Sequence, residues 1–349
     1  MLAEAAAQPH LQPVHEALAL GLARVRDRFD RQLQSPDAAI NALTTHVGRY
    51  RGKMLRPVLT LLCGLATHPH AARPAASAGE LNTLWNDDHI LSAAVCEMVH
   101  MATLVHDDIL DEADVRRGVR TINALKGNEA AVMLGDLLIA HAYDLANTSP
   151  KPVISRVVSQ AAVAVCSGEL LQLSQRGNLD LTQAEYFRIV AGKTGALIAA
   201  ACRLGAISSD ASTDLSDALA DYGDLLGTAF QIQDDILDLT GDESTVGKSV
   251  RKDLEKGKMT LPLILALDQS SPQRASVRQI LAAVGQSGLT PSDEQSLGLA
   301  LAHAGSIDAA HRIAAQLVAR AKNRLDALAT SPVKDLLLIM ADAVIDRAS

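Results

Sequence analysis

The sequence predicts an all-α fold, and three observations carry that prediction. Only 3 Phe, 4 Tyr and 1 Trp occur in 349 residues, whereas sheets lean on aromatic and β-branched side chains. Alanine and leucine, strong helix formers, fill the apolar positions instead. Apolar residues recur at three and four, as in HRIAAQLVARAKNRLDALA near the C-terminus, and no stretch sustains alternation at period two. The reading is a single-domain bundle over residues 1–349 with roughly ten or more helices and no sheet.

The helix starts are written in Ser/Thr-Pro pairs: Ser35-Pro36, Ser149-Pro150, Ser271-Pro272, Thr290-Pro291 and Ser331-Pro332. A hydroxyl caps free amides, and proline at the first helical position loses no hydrogen bond. Thr182 and Glu185 add a capping-box spacing ahead of YFRIVAGKTGALIAAACRLGA. Residues 1–13 read as a flexible lead. Residues 68–88, small and Pro-containing, read as a surface loop. His68 and His70 within it are read as solvated rather than as a metal pair.

A net charge of −8 argues against a nucleic-acid partner, which needs a basic face. Cys63, Cys96, Cys166 and Cys202 lie far apart in apolar stretches with no CxxC spacing. Small buried thiols in a reduced, cytoplasmic protein are expected. The N-terminus carries Glu4 and no basic region, unlike a signal peptide. No apolar run is expected to reach the ~20 residues that span a bilayer.

Two segments carry the chemistry. The pentad DDILD occurs at residues 107–111, followed by Arg116-Arg117-Gly118, and again at 234–238. On a helix, Asp107 and Asp111 share a face one turn apart, as do Asp234 and Asp238. Like charges so placed repel and call for a cation. Carboxylate oxygens with no Cys beside them suit a hard ion, and Mg²⁺ is the one that bridges carboxylates to phosphates. Basic residues supply the other half of a diphosphate site: Lys53 and Arg56 in GKMLRP, then Arg116, Arg117, Lys193 in GKTG and Lys248 in GKS. The two GK[ST] segments are not P-loops. The required upstream glycine is replaced by Phe187 and Asp242, and no strand precedes either one.

The ordered set GKxxRP, DDxxDxxxxRRG, GKTGAL, FQxxDDxxD and GKxxxxDxxxGKxTLP, from about Arg49 to Leu263, resembles the trans-isoprenyl diphosphate synthases (polyprenyl synthetases), in particular their medium- and long-chain, octaprenyl-type members. That resemblance implies helices around a central cavity, a homodimer, and head-to-tail condensation of isopentenyl diphosphate with an allylic diphosphate using three Mg²⁺. It implies Asp107, Asp111 and Asp234 as metal ligands, with Asp108 and Asp238 supporting. Arg116, Lys193 and Lys248 would hold the allylic diphosphate, with Thr194 and Gln231 beside the reacting carbon. Lys53, Arg56, His100 and Arg117 would hold isopentenyl diphosphate. Lys258 falls in the matching GKMTLP segment. The family's first basic motif reads GGKRxRP; Arg51 and Met54 depart from it here.

The residue types match the chemistry. Ionising an allylic C–O bond leaves negative charge on diphosphate, which metal ions and Lys/Arg donors stabilise. The alkene of the second substrate then attacks, so no nucleophilic side chain is needed. In this family a bulky aromatic four or five residues before the first aspartate shortens the product. Here Ala102 and Thr103 stand there, with Val99 and Cys96 further back. The expectation is an open tunnel and products of C25 or longer, hexaprenyl to nonaprenyl, with a tail suited to delivery to a membrane. Geranylgeranyl diphosphate is the alternative if a residue between Val153 and Val165 floors the tunnel. A class I terpene cyclase is disfavoured by the scarcity of aromatics that would stabilise cyclising cations. A non-catalytic subunit of a heteromeric synthase would be expected to lose aspartates or cations that this chain keeps.

Overall fold

The computed structural model describes residues 8–68, 77–241, 252–268 and 270–346. They form two compact units: Met1–Ala162 with Leu197–Asp221 and Leu325–Leu338, and Val163–Ala196 with Tyr222–Arg324 and Ile339–Ser349.

The first unit is built on one helix that is apolar on almost every side. Helix α5 is numbered after α1 (Gln12–Gln32), α2 (Ala38–Gly48), α3 (Leu55–Thr67) and α4 (Ala78–Thr83), and spans Asp87–Leu110. It buries residues from His89 through Val105 with few gaps. A helix apolar all round belongs in a core, and α5 packs against α1, α3 and α7 (Asn128–Ala146). The short α6 (Ile122–Lys126) links its C-terminal turn to α7. The first unit also takes the start of α8 (Pro152–Ser174) and nearly all of α10 (Ala196–Ser208), whereas α9 (Gln183–Val190) and a π turn (Ala191–Gly195), which lie between them in sequence, belong to the second unit.

In the second unit, the 28-residue α11 (Thr213–Thr240) contributes its C-terminal half, which ends in the second pentad. Beyond it in sequence lie α12 (Lys252–Glu255), α13 (Leu261–Ala266), α14 (Arg274–Ser287), α15 (Pro291–Ala304), α16 (Ser306–Arg324) and α17 (Pro332–Ile345), the last belonging to the first unit as far as Leu338. Leu263 and Ala266 of α13 pack into a core with Val277, Leu281, Leu297 and Leu301. This helix is only six residues long, with Pro262 in its first turn and Leu267 as its C-cap.

The all-α prediction holds, with one correction. Val115–Arg116 pairs antiparallel with Val119–Arg120. Arg117 and Gly118 form its two-residue turn at φ of 52° and 76°, the pair of positive angles that matches strand twist in a tight hairpin. Four residues are too few to register as period-two alternation.

Other boundaries also move. Thr182, Thr290 and Ser331 sit immediately before helices, as the sequence predicts, and Thr182 and Thr290 complete capping boxes with Glu185 and Asp293. The helices after Ser35, Ser149 and Ser271 begin two or three residues later than those pairs suggest. Of the flexible lead expected over 1–13, residues 1–7 lie outside the described residues, while Leu11 is fully buried and Gln12 already starts α1. The loop expected over 68–88 contains α4, started by a Ser77–Glu80 capping box, and gives way to α5 through an Asn86–His89 box. Trp85 between them is buried, its Nε1 donating to the Leu61 carbonyl at 2.9 Å. His70 lies outside the described residues. All four cysteines are free, but Cys166 is exposed rather than buried. Among the described residues, three stretches are long and apolar enough to cross a membrane by length and composition: Asp87–Leu110, Pro152–Ser174 and Gln183–Ser208. This corrects the expectation of none. None of them is an uninterrupted apolar run, because polar residues such as Glu97 punctuate them.

His89 is a buried keystone of the first unit. Its Nε2 donates to Ser209 Oγ at 2.9 Å, while that hydroxyl donates to the Gly64 carbonyl at 2.8 Å. A Cβ on Gly64 would collide with the imidazole. Burial, helped by Lys151, pushes the His89 pKa down to about 3. The unfolded chain therefore binds one more proton than the folded chain between roughly pH 6.5 and 3. His89 contributes its full share of stability above that window and loses it as pH falls, by ~1.4 kcal/mol per unit. Urea unfolding at pH 7.5 and 5.0 should show a drop about 2 kcal/mol larger for wild type than for His89→Gln. Equal drops in the two proteins would remove His89 as the cause.

Candidate active site

In the first unit, the last turn of α5 carries the first pentad. Asp107 and Asp111 are half-buried, and Asp108 is 1% exposed. Asp108 Oδ1 accepts from Arg116 Nε at 2.7 Å, while among the described residues its Oδ2 is buried without a hydrogen-bond partner. Burial raises the Asp108 carboxyl and Arg116 opposes that shift. The hairpin is the device that brings Arg116 back to the helix end. Thr121 Oγ1 and Asn123 Nδ2 fasten its base by donating to the Ala113 carbonyl at 2.6 and 3.1 Å.

The turn residue Arg117 points the other way, donating to the Tyr50 carbonyl and lying directly against Gly52. Gly52 therefore supplies the space for a guanidinium. Arg56 and Glu97 belong to the same group: burial depresses Arg56, and Glu97 and Arg117 are among its charged influences. His100 is held well below its ordinary pKa by burial and by Arg56, Arg117 and Arg116. The structure thus gathers His100, Arg56, Arg116 and Arg117. Lys53 is exposed beside them in sequence. The two motif departures are also explained. Arg51 pairs with Asp30 and stacks on Phe29, 4.2 Å from the ring centroid. Met54 is buried in left-handed backbone at the start of α3. Ala102 is fully buried, and half-buried Thr103 donates to the His100 carbonyl at 2.8 Å.

In the second unit, the GKTG segment forms the π turn after α9, a local widening of the helix common at functional sites. Its glycines permit contact. A Cβ on Gly168 would strike the Lys193 backbone nitrogen, and one on Gly195 would strike Asp224. Lys193 Nζ pairs with Glu169 at 2.5 Å and donates to Gln172 Oε1 at 2.8 Å. Thr194 Oγ1 donates to Gln231 Oε1 at 2.9 Å, and Gln231 Nε2 donates to Asp235 Oδ1 at 2.9 Å. Tyr186 donates to Asp235 Oδ2 at 2.6 Å. Burial, then Asp253, pushes the Asp235 carboxyl up to about 7. Gln172, Tyr186, Lys193, Gln231 and Asp235 line a pocket together with Asp253 and Lys258, which pair at 3.0 Å. Asp234 is half-buried, and buried Asp238 accepts from the Asp253 backbone N–H at 3.2 Å. Lys248 lies outside the described residues.

Glu97, Glu169, Gln172, Tyr186 and Asp235 were not singled out by sequence reasoning. Glu97 precedes His100 by one turn and falls on its helix face. Tyr186 is a rare aromatic one helix ahead of GKTG. Both signals were readable. The ion pair of Lys193 with Glu169 links distant segments and left no local pattern. Among the described residues, no three His, Cys, Asp or Glu converge as a ready-made metal site. The donor set of the pentads is nonetheless oxygen alone, and Asp108 offers a buried unpaired oxygen. That chemistry fits a hard divalent cation whose remaining ligands come from a phosphate or water.

A family model described as polyprenyl synthetase matches residues 37–289, and the chain belongs to that family. It is a prenyltransferase, a trans-polyprenyl diphosphate synthase. It is 32% identical over 338 residues to octaprenyl diphosphate synthase of Escherichia coli (strain K12), covering 97% of this chain and 99% of that one. A decaprenyl diphosphate synthase from Rhodobacter capsulatus superposes with a TM-score of 0.86 at 31% identity, covering 97% and 99% of the two chains. A polyprenyl synthase from Caulobacter crescentus CB15, complexed with calcium and isoprenyl diphosphate, gives 0.83 at 32% identity over 96% and 98%. Relatives at similar identity extend to a geranylgeranyl diphosphate synthase of Methanosarcina mazei.

The glycine contact makes a stability prediction. Gly168→Ala should destabilise the protein by about 1–3 kcal/mol and lower prenyl transfer with it. Gly285→Ala, where a Cβ meets nothing within 4 Å, should leave activity unchanged and raise stability by ~0.5–1 kcal/mol. Calorimetry and turnover on both variants check this, and a Gly168→Ala protein as stable as wild type would contradict the packing account.

Proposed function

We propose that this chain condenses isopentenyl diphosphate head-to-tail with an allylic diphosphate, with Mg²⁺, to give all-trans products of C25 or longer. The hexaprenyl to nonaprenyl range is the expected outcome. The observation that carries this reading is the grouping of Arg56, His100, Arg116 and Arg117 around the helix that ends in the first pentad. It supplies several cations next to carboxylates, the complement of a metal-bound diphosphate.

In this reading Asp107, Asp111 and Asp234 hold three Mg²⁺, supported by Asp108 and Asp238. The ions supply neutralising charge for the departing diphosphate. Arg116, Lys193 and Lys248 bind the allylic diphosphate, and Lys53, Arg56, His100 and Arg117 bind isopentenyl diphosphate. Neutral His100 serves as a hydrogen-bonding group rather than a charge, because the arginines around it disfavour its protonation. Thr194 and Gln231 lie beside the carbon that becomes cationic. Ala102 and Thr103 leave room for the growing chain. The family match crosses both compact units, which supports their action as one synthase domain. Val132 and Met133 on α7 leave 43% and 65% of their surface exposed, which supports a homodimer covering them. We place the enzyme in the cytoplasm, with its product passed to a membrane.

The geranylgeranyl alternative keeps its place because a relative with that activity matches at 33% identity. Product analysis decides between them. Purified protein given Mg²⁺, isopentenyl diphosphate and a short allylic primer should release chains of five or more isoprene units, and a wild-type product of three or four units would reject the long-chain reading. Ala102→Phe should shorten the product with little loss of the first condensation rate, since each helical turn opened adds roughly one isoprene unit of depth.

Asp107→Ala and Asp234→Ala should each cut turnover at least about a hundredfold while keeping the helical circular dichroism of wild type. Near wild-type rates from either variant at saturating Mg²⁺ would overturn the metal assignment.

A further inference from the structure

The second pentad contains a carboxylate, Asp235, that the proposed mechanism does not use. It is 5% exposed, and both its oxygens accept hydrogen bonds, from Tyr186 and from Gln231. Gln231 in turn accepts from Thr194. Four side chains from α9, the π turn and α11 therefore form one continuous chain of bonds, and its polarity is set at one end. Both neighbours donate to Asp235, which favours its ionised form, and that form can only accept, so it draws the NH₂ of the Gln231 amide toward itself. The amide carbonyl must then face Thr194, whose hydroxyl spends its hydrogen on that carbonyl. A flipped amide would set two acceptors against each other at Asp235. Tyr186 is itself 3% exposed and packs edge-on against Phe187 with ring centroids 5.6 Å apart. It holds the second carboxylate oxygen so that Asp235 cannot rotate away.

We propose that Tyr186 and Asp235 are positioning residues for prenyl transfer: they lock the Gln231 amide so that Gln231 and Thr194 turn oxygen lone pairs toward the cationic allylic carbon. This rests on the reading that Gln231 and Thr194 flank that carbon. When the C–O bond ionises, its electron pair leaves with the diphosphate and the carbon is left positive. Oxygen lone pairs already oriented toward it stabilise that charge without reorganisation. An amide free to flip would present N–H hydrogens, the wrong end of the dipole, for part of the time.

The test is steady-state kinetics on four variants of the full-length protein, each checked for an unchanged melting temperature. Tyr186→Phe keeps the ring and removes the donor; it should lower kcat about tenfold with KM for both diphosphates and half-saturating Mg²⁺ within twofold of wild type. Asp235→Asn should lower kcat further, because an amide at 235 no longer dictates which end of Gln231 it meets. Adding Gln231→Glu to Asp235→Asn should restore at least tenfold of that loss, since the new carboxylate accepts from both Asn at 235 and Thr194 and offers oxygens alone. A purely structural role predicts no such rescue. No rescue by the double variant, or a Tyr186→Phe effect confined to KM, overturns the proposal. Gln231→Ala separates the two levels. If it retains wild-type kcat, the placement of Gln231 beside the carbon is wrong. If it loses kcat while Tyr186→Phe and Asp235→Asn do not, that placement stands and the positioning proposal fails.

Discussion

A carboxylate that is 1% exposed cannot remain ionised without a partner, and in the first unit that partner is Arg116. Removing one member of such a pair leaves an uncompensated buried charge. Much of the local architecture follows from meeting that requirement. Arg116 must return to the end of α5, so the chain makes a hairpin within a few residues. The tight turn places Arg117 in left-handed backbone and directs its guanidinium against Gly52 and the Tyr50 carbonyl. The two adjacent arginines are thereby sent to different neighbours. Sequence alone presents them as one basic cluster, whereas the hairpin divides their work between the pentad and the group around His100.

The legible part of the fold was its periodicity. Ala- and Leu-rich spacing predicts α5, α10 and α16 because each buries a face or a whole circumference at helical repeat. Capping signals are legible when a hydroxyl and a carboxylate fall three apart, as at Thr182 and Thr290. The Ser77–Glu80 box in the segment read as a loop obeys the same rule, yet its helix is only six residues long, too short to show a period. The hairpin was hidden for a similar reason. The pentads and their flanking cations were legible because a local motif fixes both residue type and spacing. Glu169 and Lys193 were not, since what joins them is a close crossing of α8 with the π turn at Gly168 and Gly192. The motif departures at Arg51 and Met54 could be seen in the sequence, but the surroundings of Arg51 could not, because Phe29 and Asp30, which take its guanidinium, come from α1.

The two units solve the same electrostatic problem differently. In the first, Arg51, Arg56 and Arg117 are massed about the buried acid Glu97, beside the Arg116–Asp108 pair. In the second, charge is neutralised pair by pair, Lys193 with Glu169 and Lys258 with Asp253. A massed group has a strong field that attracts anions from a distance. A paired cation has little field beyond its partner.

The Lys193–Glu169 pair therefore sets an entry condition on the reading proposed for Lys193. Any anion that takes the lysine must outbid a carboxylate 2.5 Å away that is only 16% exposed. A lone monovalent anion that took the lysine would leave the glutamate without compensation. A diphosphate arriving with its own divalent cations brings both signs, one for the lysine and one to satisfy the released acid. The free protein would thus stay closed to the abundant small anions of a cell while remaining open to the rarer ligand that carries its counterions with it.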